Sequence, residues 1–160
     1  MIKVLYVHNA LDIGGAQSVR HRFLKNLNSN LNSVDISICC FGRKGEFGEK
    51  IERCGFRVDA FNMPYGLMDF STTIKLYNYI RRNNFNVIHS SLFYANYHSA
   101  LAANWAKVKF LITEEHGEHS FHLKKRHIIH RAIGRYIAEK SNAIFCCSDF
   151  VKNGIRKVYG

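Results

Sequence analysis

Leu11-Asp12-Ile13-Gly14-Gly15-Ala16-Gln17 follows directly on an apolar stretch, Ile2 to Val7, and leads into a segment of helical periodicity. Two glycines thus fall at a strand-to-helix turn. Without a Cβ, the backbone there can approach a ligand closely, and the unpaired N–H groups of the first helical turn, reinforced by the helix dipole, face whatever anion sits in front. The competing reading is a tight turn that binds nothing. A dinucleotide fingerprint does not fit: Ser18 stands where a third glycine would fall, and Phe41-Gly42 closes the next strand in place of an acid for the ribose. No Gly-Lys-Ser/Thr follows, which excludes a Walker loop. NAD and FAD are therefore disfavoured.

Outward from this turn the chain alternates. Apolar runs at Ile2–Val7, Val34–Phe41, Arg57–Phe61, Asn86–His89, Lys109–Thr113 and Ala143–Cys147 read as strands, most of them too uniformly apolar for a sheet with one wet face. Helical periods lie between them. The first carries Ala16, Val19, Phe23, Leu27 and Leu31 on one stripe, and the second spans about Phe47–Cys54. The third runs near Thr72–Arg82 through Ile74, Tyr77 and Ile80, and the fourth uses Leu92, Ala95, Ser99, Ala103 and Ala106. The fifth is marked by Ile129, Ala132, Ile133, Tyr136 and Ile137; a short sixth starts at a Ser148 or Asp149 cap and ends at Gly160. Six such units predict an α/β fold, a doubly wound, Rossmann-like parallel sheet covered on both faces by right-handed crossovers. Ligands then sit beyond the carboxyl ends of the strands. Polar residues collect there: His8-Asn9, His89-Ser90-Ser91, Glu114-Glu115-His116-Gly117 and Ser148-Asp149.

With 160 residues, 47% of them apolar or aromatic, the chain suits a single globular domain without internal linker or repeat. No signal peptide or membrane span is visible. Of the five cysteines, the pairs Cys39-Cys40 and Cys146-Cys147 sit in apolar runs and read as small core residues of a reduced, cytoplasmic protein.

These residues in this order resemble the N-terminal domain of family 4 glycosyltransferases, enzymes of the GT-B fold. The resemblance rests on the glycine turn, on Asn86-Val87-Ile88-His89-Ser90 with Leu92-Phe93-Tyr94-Ala95-Asn96, on Thr113-Glu114-Glu115-His116-Gly117, and on Ala143-Ile144 through Cys147-Ser148-Asp149-Phe150-Val151 to Tyr159-Gly160. It implies retaining, metal-independent transfer of a sugar from a nucleotide-sugar donor to a glycan or lipid-linked acceptor, as in bacterial polysaccharide synthesis. By position it implies that Gly14, Gly15, Ala16 and Gln17 approach the donor diphosphate and that His116 lines the site beside the transferred sugar. His116 is then the catalytic candidate, hydrogen-bonding a sugar hydroxyl or steadying charge; the alternative is a histidine capping a strand end. Tyr94, Asn96 and Glu115 fall on the acceptor side, where they either meet the acceptor or cap and pack. Ser91 departs from relatives that carry a second histidine at its position.

The resemblance also implies a second, donor-binding domain that these 160 residues do not contain. A helix N-terminus contributes about 0.3–1 kcal/mol to an anion and up to roughly 2, whereas enzymes lower barriers by on the order of 8–23 kcal/mol. The isolated chain is therefore expected to be inactive. The rival class is a stand-alone nucleotide- or phosphate-binding regulatory module.

A formal charge of +11 asks for a partner or a solvated face. Lys124, His127, Arg131 and Arg135 share one side of the fifth helix, with Ile129, Ala132, Ile133 and Tyr136 opposite; Arg20, Arg22 and Lys25 add charge on the first. The basic fifth helix suits an anionic membrane, and with it a peripheral position at the inner face of a membrane. Nucleic acid is disfavoured, because Phe23, Phe41, Phe61, Tyr77 and Tyr136 fall at core-facing positions and no recognition motif is present. A zinc site from His116, His119 and His122 is disfavoured too, since Gly117 argues against the helix that would bring them to one face. No metal or other cofactor is expected.

Overall fold

A computed structural model describes residues 1–27, 33–117 and 127–159. Leu31, His119, His122, Lys124 and Gly160 lie outside the described residues, as does the side chain of His127. The alternation holds throughout: β1 (Ile2–His8), α1 (Gly15–Asn26), β2 (Val34–Cys40), α2 (Gly45–Arg53), β3 (Arg57–Ala60), α3 (Phe70–Asn83), β4 (Val87–Ser91), α4 (Phe93–Ala106), β5 (Phe110–Glu115), α5 (His127–Lys140), β6 (Ala143–Cys146) and α6 (Asp149–Tyr159). All neighbouring strands pair parallel, in the order β3-β2-β1-β4-β5-β6. The order reverses between β1 and β4, so a crevice opens beyond the ends of those two strands.

Side-chain alternation along each strand builds two cores. Leu5, Val7, Cys39, Ile88 and Leu111 point to the face covered by α3, α4 and α5, where Leu76, Ala95 and Ile137 complete the packing. Tyr6, Ile38, Cys40 and Val58 point to the face covered by α1 and α2, closed by Leu24 and Ile51.

Several sequence expectations shift by a helical or strand position. β4 and β5 run two residues further than their apolar cores predict, so Ser90, Ser91, Glu114 and Glu115 are strand residues; each finds a polar partner at the rim, which removes the cost that otherwise keeps carboxylates out of strands. On α1 the residues facing the sheet are Ala16, Arg20 and Leu24, while Val19 and Phe23 of the expected stripe stand exposed. Ile74 of α3 and Ile129 and Ala132 of α5 are also exposed, and Thr72, Thr73 and Leu76 on α3 and His130, Gly134 and Ile137 on α5 take the inner positions. Cys39 and Cys40 are buried, but Cys147 is exposed at the rim. The sixth helix is capped by Ser148, whose Oγ accepts from the Val151 N–H at 3.3 Å.

Candidate functional site

The glycine turn is held from its outer flank. The Leu11 N–H donates to Arg43 O at 3.1 Å, the Gly42 N–H to Asn9 O at 2.7 Å and the Phe47 N–H to Leu11 O at 3.1 Å, so the β2–α2 loop serves as a brace. Gly45 is required in that brace twice over: its φ is +58°, and a Cβ would stand 2.7 Å from Leu11 O. Gly42-Arg43-Lys44-Gly45 is thus a supporting loop, with Lys44 paired to Glu52 at 2.8 Å. Leu11 is fully buried beneath the turn.

At the turn itself Gly14 is the N-cap, in extended conformation, with no side chain closing the helix end and no acid in the first turn. The N–H groups of Gly15, Ala16 and Gln17 occupy the positions that lack an intrahelical acceptor. Gly15 is exposed, and a Cβ on it would meet nothing within 4 Å. The Gln17 side chain turns inward and donates to Ala10 O at 3.0 Å, fastening the start of the loop.

Across the crevice, Glu114 anchors a polar cluster. Its Oε2 accepts from Arg20 Nη2 at 2.6 Å and from Ser91 Oγ at 2.6 Å, and stands 3.5 Å from His89 Nε2; its Oε1 stands 3.3 Å from His116 Nε2. Arg20 also lies flat over the Tyr6 ring, 3.8 Å from its centre, and Tyr6 packs against His89 at 4.9 Å. Burial opposes ionisation of Glu114, but the contacts with His116, His89 and Ser91 and the Arg20 charge outweigh it and hold the carboxyl well below the usual range. Burial beside the Arg20 charge pushes His8, at the end of β1, down to about 3, and burial keeps His89 below its ordinary value as well. Both imidazoles are therefore neutral at pH 7. The cluster is an ion pair flanked by Tyr6 and the neutral His89, and it links α1, which carries the glycine turn, to the end of β5, next to which His116 follows.

Glu115 points to the opposite face. It is buried, and its Oε1 accepts from Asn96 Nδ2 at 2.9 Å. Burial, only partly offset by Asn96 and by the nearby His116, pushes its carboxyl up to about 7. Asn96 is fully buried: the same amide nitrogen reaches Glu114 O at 3.1 Å, and its carbonyl accepts from Ser90 Oγ at 2.8 Å. This side chain is spent on joining β4, α4 and β5, so the structure gives Asn96 a positioning place behind the rim. Just before α4, Leu92 has φ 78° and ψ 150°, a region open mainly to glycine; its N–H donates to Glu114 O at 3.1 Å and its carbonyl accepts from the Asn96 N–H at 2.8 Å. Tyr94 is half-buried and packs edge-on against Tyr65, with ring centres 6.2 Å apart.

The structure therefore brings the glycine turn and His116 to one crevice through Arg20 and Glu114, and leaves Glu115 buried on the other face of the sheet against Asn96. It leaves Tyr94 further along the rim, on the α4–α5 side. Arg20 and Glu114, which the sequence offers only as helix charge and as part of a polar strand end, carry the arrangement. For Arg20 one signal was available: it stands four residues from both Ala16 and Leu24, on the face those two bury. Among the described residues no three His, Cys, Asp or Glu side chains are grouped as a metal site would need.

The model of Glycosyltransferase Family 4 matches residues 13–160, nearly the whole chain. The chain belongs to glycosyltransferase family 4. No curated protein sequence matches it. Among solved structures it is similar to Anabaena Alr3699/HepE in complex with UDP, at 15% identity and a TM-score of 0.72, covering 99% of this chain and 41% of that one. It is similar to UDP-GlcNAc 2-epimerase from Neisseria meningitidis bound to UDP-GlcNAc, at 13% identity and a TM-score of 0.66, over 98% of this chain and 43% of that one. It also resembles the lipopolysaccharide outer core galactosyltransferase WaaB in its apo form, at 10% identity and a TM-score of 0.66, over 98% and 42%. The family 4 chain thus spans about two fifths of the length of these structures, with which it shares the fold. No helix among the described residues is long and apolar enough to cross a membrane.

Proposed function

We propose that this chain is one wall of a retaining, metal-independent glycosyltransferase that moves a sugar from a nucleotide-sugar donor to a glycan or lipid-linked acceptor in bacterial polysaccharide synthesis, at the cytoplasmic side of a membrane. The observation that carries the reading is the Arg20–Glu114 pair, which fixes the open start of α1 and His116 on the two sides of one switch-point crevice. Three free N–H groups suit a diphosphate. His116, whose Nε2 lies 3.3 Å from the ionised Glu114 carboxylate, suits a hydroxyl of the sugar attached to it. Glu114 is a positioning residue; His116, Gly14, Gly15, Ala16 and Gln17 are the contacts. The match to family 4 and the fold shared with HepE, solved with UDP, support a nucleotide-sugar donor.

The wall by itself binds weakly and does not turn over. Its helix terminus contributes no more than roughly 2 kcal/mol, against the 8–23 kcal/mol, in order of magnitude, that catalysis requires. Titration of the labelled chain with UDP-glucose, followed by amide NMR, tests the reading. Shifts are expected at Gly15, Ala16, Gln17 and His116, and they should vanish when UDP-glucose is replaced by glucose. Shifts confined to other surfaces would defeat it.

A further inference from the structure

On the α4 side of the switch-point crevice two tyrosines stand together. Tyr65 comes from the loop between β3 and α3 and Tyr94 from the first turn of α4; their rings meet edge-on, with centres 6.2 Å apart and planes inclined by 61°. Both residues are part-buried, and neither hydroxyl has a hydrogen-bond partner among the described residues. Gly42, in the loop after β2, makes room for Tyr65: a Cβ there would stand 3.1 Å from Tyr65 Cε1 and 3.2 Å from the Cβ of Ala10. Ala10 opens the loop that becomes the glycine turn, and its carbonyl accepts from Gln17. The Tyr65 ring therefore borders the crevice next to that turn.

Both rings are held in place before any ligand arrives. Phe41 backs Tyr65 at 6.4 Å between ring centres. The loop that carries Tyr65 is pinned from within: buried His98 lies 2.7 Å from Thr73 Oγ1 through Nδ1 and 3.1 Å from Gly66 O through Nε2, and Thr72 Oγ1 donates to Pro64 O at 2.5 Å. Tyr94 sits between Leu92, whose N–H donates to Glu114 O, and Asn96, whose side-chain amide donates to the same oxygen, both at 3.1 Å. The pair thus spans the gap from the glycine loop to the end of β5, and binding there would order little. It is also uncharged. Residues 61–69 contain no Lys or Arg, and their one carboxylate, Asp69, is turned onto the Gly66 N–H.

A half-buried tyrosine offers an apolar ring and a polar tip together. A pyranose ring matches both, because its C–H groups form an apolar face while its hydroxyls need partners at the edge. Planes inclined by 61° make a wedge, which suits a puckered, saturated ring and is too open to sandwich a flat base. We infer that Tyr65 and Tyr94 form a sugar subsite, in which a neutral pyranose ring of the acceptor packs into the wedge across from the glycine turn. This rests on the proposed transferase reading and narrows it. The acceptor presents a sugar ring to this wall, and Tyr65 joins Tyr94 as a contact that decides which acceptor fits.

Carbon NMR of the chain labelled in its tyrosine rings, titrated with methyl glucopyranoside and no nucleotide, tests it. Tyr65→Phe and Tyr94→Phe assign the two signals. Both rings should shift while Gly15, Ala16 and Gln17 stay still, and glucitol, which has the hydroxyls but no ring, should move neither. Tyr65→Leu and, separately, Tyr94→Leu should each lower affinity for the glucoside roughly fivefold, read at the tyrosine that remains. The phenylalanine variants keep the ring and should lose less. Leucine retains apolar volume beside Phe41, and circular dichroism checks the fold. Unchanged affinity in both leucine variants, equal shifts with glucitol, or tyrosine shifts with uridine and none with the glucoside would overturn the inference. If UDP-glucose moves the glycine turn while the glucoside moves neither tyrosine, the subsite fails and the transferase reading stands. Tyrosine shifts with the glucoside, and no response of the glycine turn to UDP-glucose, support the subsite and break that reading.

Discussion

Glu114 and Glu115 are neighbours at the end of β5, yet they face opposite sides of the sheet and meet opposite environments. Glu114 is surrounded by Arg20, Ser91, His89 and His116 and is held ionised; Glu115 meets one amide, from Asn96, in an apolar setting and is pushed up to about 7. Both are largely buried, so burial does not decide the charge. The number and sign of the groups fixed around each carboxyl decide it. One side of the rim is electrostatically rigid and carries His116 beside it, while the other is close to neutral and closed by Asn96.

The largest effect expected from breaking this contrast comes from Glu114→Ala. It strands a buried guanidinium over Tyr6, and the expected loss is roughly 3–5 kcal/mol in urea unfolding, most of it recovered by adding Arg20→Met, which removes the orphaned charge. A loss below about 1 kcal/mol would mean that water already solvates Arg20 and that the pair fixes nothing. Glu115→Gln tests the other side. The folded-state pKa of Glu115 lies above the unfolded one, so its contribution to stability falls as pH rises from about 4.5 through about 7. The glutamine variant lacks this loss and should gain on the parent by up to roughly 3 kcal/mol between acid and alkaline conditions. His8, lowered to about 3, contributes in the opposite sense, with stability rising with pH up to about 6.5, but equally in both proteins. A constant difference across pH would remove the contrast. The smallest change sharpens the register of α1: Val19→Ser, on the exposed side beside Arg20, should alter stability by no more than about 0.5 kcal/mol. A loss several times larger would return Val19 to the core and Arg20 to solvent.

The architecture was open to reading because each strand of a doubly covered sheet is apolar on both faces, and the intervening helices carry turns and caps that punctuate them. The rim was open in part. The glycine turn, His116 and Glu115 stand at strand ends, where chemistry-bearing residues interrupt apolar runs. What stayed hidden depends on partners distant in the chain. Arg20 and Glu114 are 94 residues apart, and a charged residue on a helix reads as a solvated one until its counter-ion is placed. The same gap misplaced Val19 and Phe23, because apolar periodicity assigns the inner face to the larger hydrophobic stripe and has no means of crediting a buried ion pair stacked on Tyr6. The choice between Glu114 and Glu115 needed the register Ser91↔Glu114, which sets which carboxyl looks toward α1.

Carboxyl carbon NMR of the chain labelled at glutamate, with Glu114→Gln and Glu115→Gln used to assign the two signals, tests the contrast most directly. Glu115 is expected to titrate near pH 7, and Glu114 to stay ionised well below the ordinary 4.5 until the chain unfolds. Two curves that both pass their midpoints near 4.5 would contradict the account.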